Sequence, residues 1–368
     1  MLTRFSVENF KNFKKKTTFV LNQPYSYEYN QEAINANCVT KGIIYGINGS
    51  GKSNLALAIF DIILHLTDKE KLLQKYDIYL NLDSPKSSAE FEYVFQFGSF
   101  EFLYKYGKTR ALELTYESLL VNGEEVVFYD FIKNEGFTNL KGAETLNLVS
   151  NRDGISRVKY IKSNAMLDKK DELNCAFYEF IDYIERMLMF YSLDERGYQG
   201  LIVGPDSFTQ GIIRAGKTKE FEKFLYSQGI KYNLIEREVN GIKQLYCKFA
   251  NGEYDFMSVA STGTKSLALF YYWYLRLANA SFVYIDEYDA FYHFELSTAI
   301  IKLVKELKNT QVFFTTHNTD LLSNDLLRPD CFFIIKDNKI NSFSDLTDKD
   351  LRKAHNIQKM YKAGSFNG

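Results

Sequence analysis

Residues 2–7 alternate apolar and polar positions, the period-two pattern of a half-buried strand. A basic turn follows (Lys11, Lys14, Lys15, Lys16), then a second strand at 17–21. Residues 41–46 form a short apolar run that ends in glycine-rich sequence, and 55–66 are apolar almost all round, as in a buried helix. From 88 to 128 the period is two again. FEYVFQF, FEFLYKY and LELTYESLLV predict an antiparallel meander with turns at Gly98-Ser99, Gly107-Lys108 and Asn122-Gly123. Residues 172–190 and 207–225 have helical spacing, and strands return at 232–249. Helix 264–277, strand 282–285, helix 294–307 and strand 312–315 then alternate as in a parallel α/β sheet. A hairpin over 331–343 turns at Asp337-Asn338.

Composition changes this picture little. Apolar residues make up 46% and charged residues 25%, ordinary for a globular chain, and 45 Lys+Arg against 46 Asp+Glu leave a net charge of -1. That balance gives no general attraction to nucleic acid or membrane, so any such contact needs a local patch. The 31 Phe and 27 Tyr supply a large core. Cys38, Cys175, Cys247 and Cys331 are scattered, without a CxxC pair or a histidine at ligand spacing, which argues against zinc and for reduced thiols in a cytoplasmic protein. The start carries no apolar signal segment. The longest apolar run, 267–275, is half the length of a membrane span, so no membrane partner is expected.

The chemistry concentrates in Gly46-Ile47-Asn48-Gly49-Ser50-Gly51-Lys52-Ser53, a GxxxxGK[ST] run between a predicted strand and a predicted helix. The glycines let backbone N–H groups wrap a phosphate chain, and the helix N-terminus adds partial positive charge. Lys52 reaches the β/γ-phosphates and the Ser53 hydroxyl suits magnesium. The expected nucleotide-binding set is Gly46, Asn48, Gly49, Ser50, Gly51, Lys52, Ser53 and Asn54. Strand 282–285 runs into Asp286-Glu287, where an aspartate can hold magnesium and a glutamate can polarise water. Strand 312–315 leads to His317, at the strand end where open α/β sheets bind ligands. Ser261-Thr262-Gly263-Thr264-Lys265 opens an apolar helix and makes a second N-terminus suited to an anion.

In this order the four segments resemble ABC-type ATPase heads, those of structural-maintenance-of-chromosomes (SMC), RecF and OLD-family proteins, over residues 1–65 and 255–343. The resemblance implies an α/β P-loop ATPase head using ATP and Mg2+, with an antiparallel β subdomain, an inserted helical region and no long coiled coil. It implies Gly46 to Ser53 as Walker A, Ser261 and Gly263 as the signature contacts, Asp286 as the magnesium residue, Glu287 as the catalytic base and His317 as the switch histidine. Asp289 to His293 falls at the D-loop, and Lys11 and Asn12 fall near ribose and adenine. The signature departs from the common pattern at Thr262 and Thr264. STGTKSL, DEYDAFYH and the ending LRKAHNIQKMYKAGSFNG also resemble bacterial abortive-infection ATPases, relatives of the PARIS and Septu ATPase subunits.

The interval between Ser53 and Ser261 holds a meander instead of heptads, which excludes an SMC-type arm. The residues after Phe343 are too few for an OLD-type nuclease domain. The expected organisation is an N-terminal lobe (1–165), a helical insertion (166–230), a C-terminal lobe (231–345) and a tail (346–368). The resulting expectation is a slow Mg-dependent ATPase, paired with itself as a dimer or higher oligomer, switching a separately encoded effector in anti-phage defence. The alternative is a RecF-like head that binds DNA directly through the basic turn; a solvated charge run is the plainer reading of those lysines. A P-loop kinase or GTPase would leave Ser261 to Lys265 and His317 unexplained.

Overall fold

The computed structural model describes residues 1–69, 73–149, 154–191, 198–200, 207–288 and 294–366. Among these the fold is mixed α/β, with no long coiled coil. One seven-stranded sheet runs 198–200, Leu188–Tyr191, Phe282–Asp286, Gln311–Thr316, Lys41–Tyr45, Phe332–Lys336, Lys339–Ser342. Its five inner strands are mutually parallel, and the two outermost join antiparallel. The inner strands Phe282–Asp286, Gln311–Thr316 and Lys41–Tyr45 are buried at every position, as expected for strands covered on both faces.

A second seven-stranded sheet is antiparallel throughout. It carries the meander from Ala89 to Thr138, with Leu2–Glu8 and Thr17–Val20 added at its other edge. Phe19 joins the two sheets, its ring meeting Phe313 at 5.3 Å and Phe333 at 4.9 Å. A smaller three-stranded sheet over Leu234–Val239, Ile242–Phe249 and Gly252–Asp255 leads into the helix Thr262–Leu277.

Three local expectations are corrected. Gly107-Lys108 carries no turn, because the strand Phe100–Arg110 runs through it with a shift of register and turns afterwards at Ala111-Leu112. The shift lets Lys108 point inward to a buried partner, and a Cβ on Gly107 would lie 2.5 Å from Thr115 Oγ1. The helix expected over 172–190 stops at Glu185, and Leu188–Tyr191 is a strand of the central sheet. A short apolar run fits a buried helix or a buried strand equally, and the open edge of Phe282–Asp286 decides between them. The helix expected over 207–225 is two helices, Phe208–Arg214 and Thr218–Ser227, parted at Gly216 with φ 66°.

Behind the central sheet, the helix Lys52–Phe60 ends at Asp61, whose carboxylate is fully buried. Lys108 Nζ donates to it at 2.6 Å, Tyr79 OH at 2.8 Å and Tyr106 OH at 2.9 Å. Burial pushes the Asp61 carboxyl above its ordinary value, and Lys108 with the two phenols opposes that shift. This cluster ties the end of the glycine-loop helix to the meander.

Among the described residues no helix is long and apolar enough to cross a membrane. Cys38, Cys247 and Cys331 are buried thiols, and Cys175 is exposed.

Candidate functional site: the glycine loop and the acidic strand

Parallel pairing places the carboxyl ends of three strands side by side. Thr316 is level with Tyr45, the last residue before the glycine loop, and Ile285 is level with Phe314. Asp286, the threonines before His317 and the loop therefore share one sheet edge, where open α/β sheets place ligands.

Left-handed backbone at Gly49 (φ 78°) and Gly51 (φ 105°) bends the loop, and the helix starts at Lys52. Gly51 cannot carry a side chain, since a Cβ there would lie 2.4 Å from Asn12 Nδ2. Asn12 is held in turn by Asn54, whose amide donates to its Oδ1 at 2.7 Å. Lys52 Nζ donates to the carbonyls of Gly46 (2.8 Å) and Ile47 (3.3 Å) and lies 3.4 Å from His317 Nδ1. Burial lowers the Lys52 ammonium below its ordinary value, and the nearby Asp286 and Glu287 carboxylates pull it back up. Ser50 Oγ is buried with no hydrogen-bond partner, a donor that an oxyanion in the loop would satisfy. The Ser53 residue at the head of the helix is exposed.

The acidic strand is fastened to its neighbour by Thr315, a residue that sequence reasoning passed over. Its Oγ1 donates to Asp286 Oδ1 at 2.6 Å and accepts the Glu287 N–H at 2.7 Å. Glu287 takes φ 46°, a left-handed conformation costly for a residue with a Cβ, and its carboxylate lies 3.7 Å from His317 Nε2. Tyr284, also unforeseen, donates its buried hydroxyl to the Lys52 carbonyl at 3.0 Å. The only sequence signal for either was position: Thr315 precedes Thr316-His317, and Tyr284 lies two residues before Asp286.

Lys52, His317 and Glu287 thus form a continuous polar line, with Asp286 beside it. The hard oxygen donors Ser53 and Asp286, together with the loop's inward polar groups, suit a magnesium-bound polyphosphate. Replacing Thr315 with Val keeps the shape but leaves a buried carboxylate short of one donor. Thr315→Val is therefore expected to lower the unfolding free energy by about 1–3 kcal/mol in chemical denaturation, and Thr315→Ser to restore most of it. Unchanged stability in Thr315→Val would show that the hydroxyl clamp contributes nothing to folding.

Other expected site residues fall elsewhere. Lys11 Nζ donates to the carbonyls of Lys75 (2.7 Å) and Ile78 (3.0 Å), so its ammonium is not directed at the loop, whereas Asn12 lies against it. Lys16 pairs with Glu92 at 2.7 Å. Ser261 caps the helix Thr262–Leu277, accepting the Thr264 N–H at 3.2 Å, and remains exposed with Thr262. Gly263 follows on that helix's first turn. Asp289 to His293, expected as the D-loop, lies outside the described residues.

Residues 252–323 match a family model described as "AAA domain, putative AbiEii toxin, Type IV TA system", well under half of the chain. No curated protein matches. Among solved structures, an SMC head domain from Thermotoga maritima is similar at 15% identity and a TM-score of 0.44, over 92% of this chain and 97% of that one. An SmcHead bound to the C-winged helix domain of ScpA gives 15% identity and a TM-score of 0.44, over 93% and 97%. The ATP binding subunit of an ABC transporter gives 11% identity and a TM-score of 0.38, over 98% and 99%. Likenesses this distant transfer no residue roles, so any assignment of chemistry has to come from the loop, the acidic strand and His317 themselves.

Proposed function

We propose that this chain binds ATP with magnesium, hydrolyses it slowly, and acts as a nucleotide-switched scaffold or sensor for a separate effector in bacterial anti-phage defence. The observation that carries the ATPase reading is the line Lys52–His317–Glu287 at the end of a GxxxxGK[ST] loop, with Asp286 clamped alongside. The family matched over 252–323, whose description names an AbiEii toxin and a Type IV TA system, supports the defence setting.

In this reading the Lys52 ammonium leaves the Gly46 and Ile47 carbonyls for the β/γ-phosphate oxygens. Backbone N–H groups of Gly49 to Lys52 orient the chain of phosphates. Ser53 and Asp286 would hold magnesium, which when bound would neutralise phosphate charge. Glu287 takes the proton of the attacking water, and His317 holds that carboxylate and the phosphate end in register. The test is turnover by purified protein: MgATP is hydrolysed, and GTP is not bound much more tightly. A strong preference for GTP would defeat the assignment.

The exposed Ser261, with the half-buried Gly263 beside it, favours a second copy of the chain. They head a 16-residue helix and do not line the glycine loop, so a two-fold partner would bring them to the open side of the triphosphate. Ser261→Arg is expected to bind ATP and fail to hydrolyse it. Mixed with Lys52→Ala, it should recover partial activity, since one site of the mixed dimer keeps both intact residues. Undiminished turnover by a monomer on dilution would overturn shared sites.

A further inference from the structure

Beside the glycine loop opens a cleft of about 550 Å³ whose walls come from distant parts of the chain. One wall is the loop itself, Gly46 to Ser50, with Asn12. A second is the turn of the hairpin Phe332–Lys336/Lys339–Ser342, where Asp337 (φ 50°) and Asn338 (φ 58°) both take left-handed backbone. The third is Tyr361, on the short helix Ile357–Lys362. The cleft is of a size that holds a small ligand.

Tyr361 is placed by the residues around it. Its ring lies 5.6 Å from that of Phe343, which is fully buried and packs 6.0 Å from Tyr45, the residue that launches the glycine loop. Gly364, with φ 79°, turns the chain back so that Phe366 meets the same Phe343 ring at 4.7 Å. This accounts physically for the Met360-Tyr361…Gly364…Phe366 pattern. The segment is also tied to the stretch after His317: Gln358 donates to Asp320, and Asn324 Nδ2 donates to the carbonyls of Arg352, Lys353 and His355. The half-buried Tyr361 ring is therefore pre-positioned at the cleft.

The remaining walls are suited to a flat heteroaromatic ring. Ile47, 77% exposed, and the half-buried Ile334 contribute apolar surface. Asn12 and Asn338, linked by a 3.2 Å hydrogen bond, contribute amides with donors and acceptors for ribose or base edges.

We propose that this cleft is the nucleoside subsite and that Tyr361 is its stacking platform, so that the 346–366 segment closes over the base while the loop holds the phosphates. The proposal rests on the ATP reading above. It is tested by titration calorimetry of the full chain with MgATP and, separately, with magnesium tripolyphosphate, which has phosphates and no base. Tyr361→Leu keeps apolar bulk on Phe343 and removes the aromatic face. Since stacking a base on an aromatic ring is worth on the order of tenfold to a hundredfold in affinity, this variant should lose about that much for MgATP and none for tripolyphosphate. Tyr361→Phe should keep both. Unchanged MgATP binding by Tyr361→Leu, or equal loss of both ligands, overturns the subsite while leaving the ATP reading intact. Wild-type protein that binds neither ligand overturns both.

Discussion

Glu287→Gln is expected to bind MgATP as the wild type does and to turn it over about 10²–10⁴-fold more slowly, the usual contribution of a positioned general base. The amide keeps the size of the side chain and its place beside His317, but it cannot accept the proton of an attacking water. Backbone geometry sharpens the test. Glu287 sits at φ 46°, a conformation that costs a residue with a Cβ about 1–2 kcal/mol and costs glycine none. Glu287→Gly should therefore be as stable as the wild type or more so, yet inactive. Stability given up at a single residue is what a site retained for chemistry looks like. An active Gln variant removes Glu287 from its role. A Gly variant less stable than the wild type by more than the roughly 1 kcal/mol that glycine's backbone freedom costs shows that the side chain's contacts help to hold the turn in place.

The second large effect is on folding. Asp61 and Lys108 have fully buried side chains and pair at 2.6 Å. Removing either partner leaves an uncompensated charge in the core, so Asp61→Ala or Lys108→Met should each lose about 3–5 kcal/mol in chemical denaturation. Changing both together should cost less than the sum of the two. Recovery should remain incomplete, because Tyr79 and Tyr106 also donate to Asp61 and would lose their acceptor. Because Asp61 ends the helix that starts at Lys52, the single variants should also loosen nucleotide binding. Strict additivity would show that the two residues do not act as a pair.

The loop, the acidic strand and His317 were legible in the sequence because each depends on local order. A GxxxxGK[ST] run needs only its neighbouring strand and helix to be recognised, and an apolar strand ending in Asp-Glu announces its own polarity. The meander was legible for the same reason, its period of two persisting over many residues, and the turn at Asp337-Asn338 was marked by residue types that tolerate left-handed backbone. Wherever two conformations suit the same local pattern, the tertiary structure decided. Leu188–Tyr191 became a strand because a parallel neighbour offered unpaired hydrogen-bonding groups. Gly107-Lys108 became a bulge because a buried carboxylate 47 positions earlier drew Lys108 inward. The clamp by Thr315 and the approach of Tyr361 to the cleft join residues 29 positions apart in one case and chain segments from opposite ends in the other. Local periodicity carries no information about such pairings, since they exist only once the parallel sheet has brought its strand ends to a common edge.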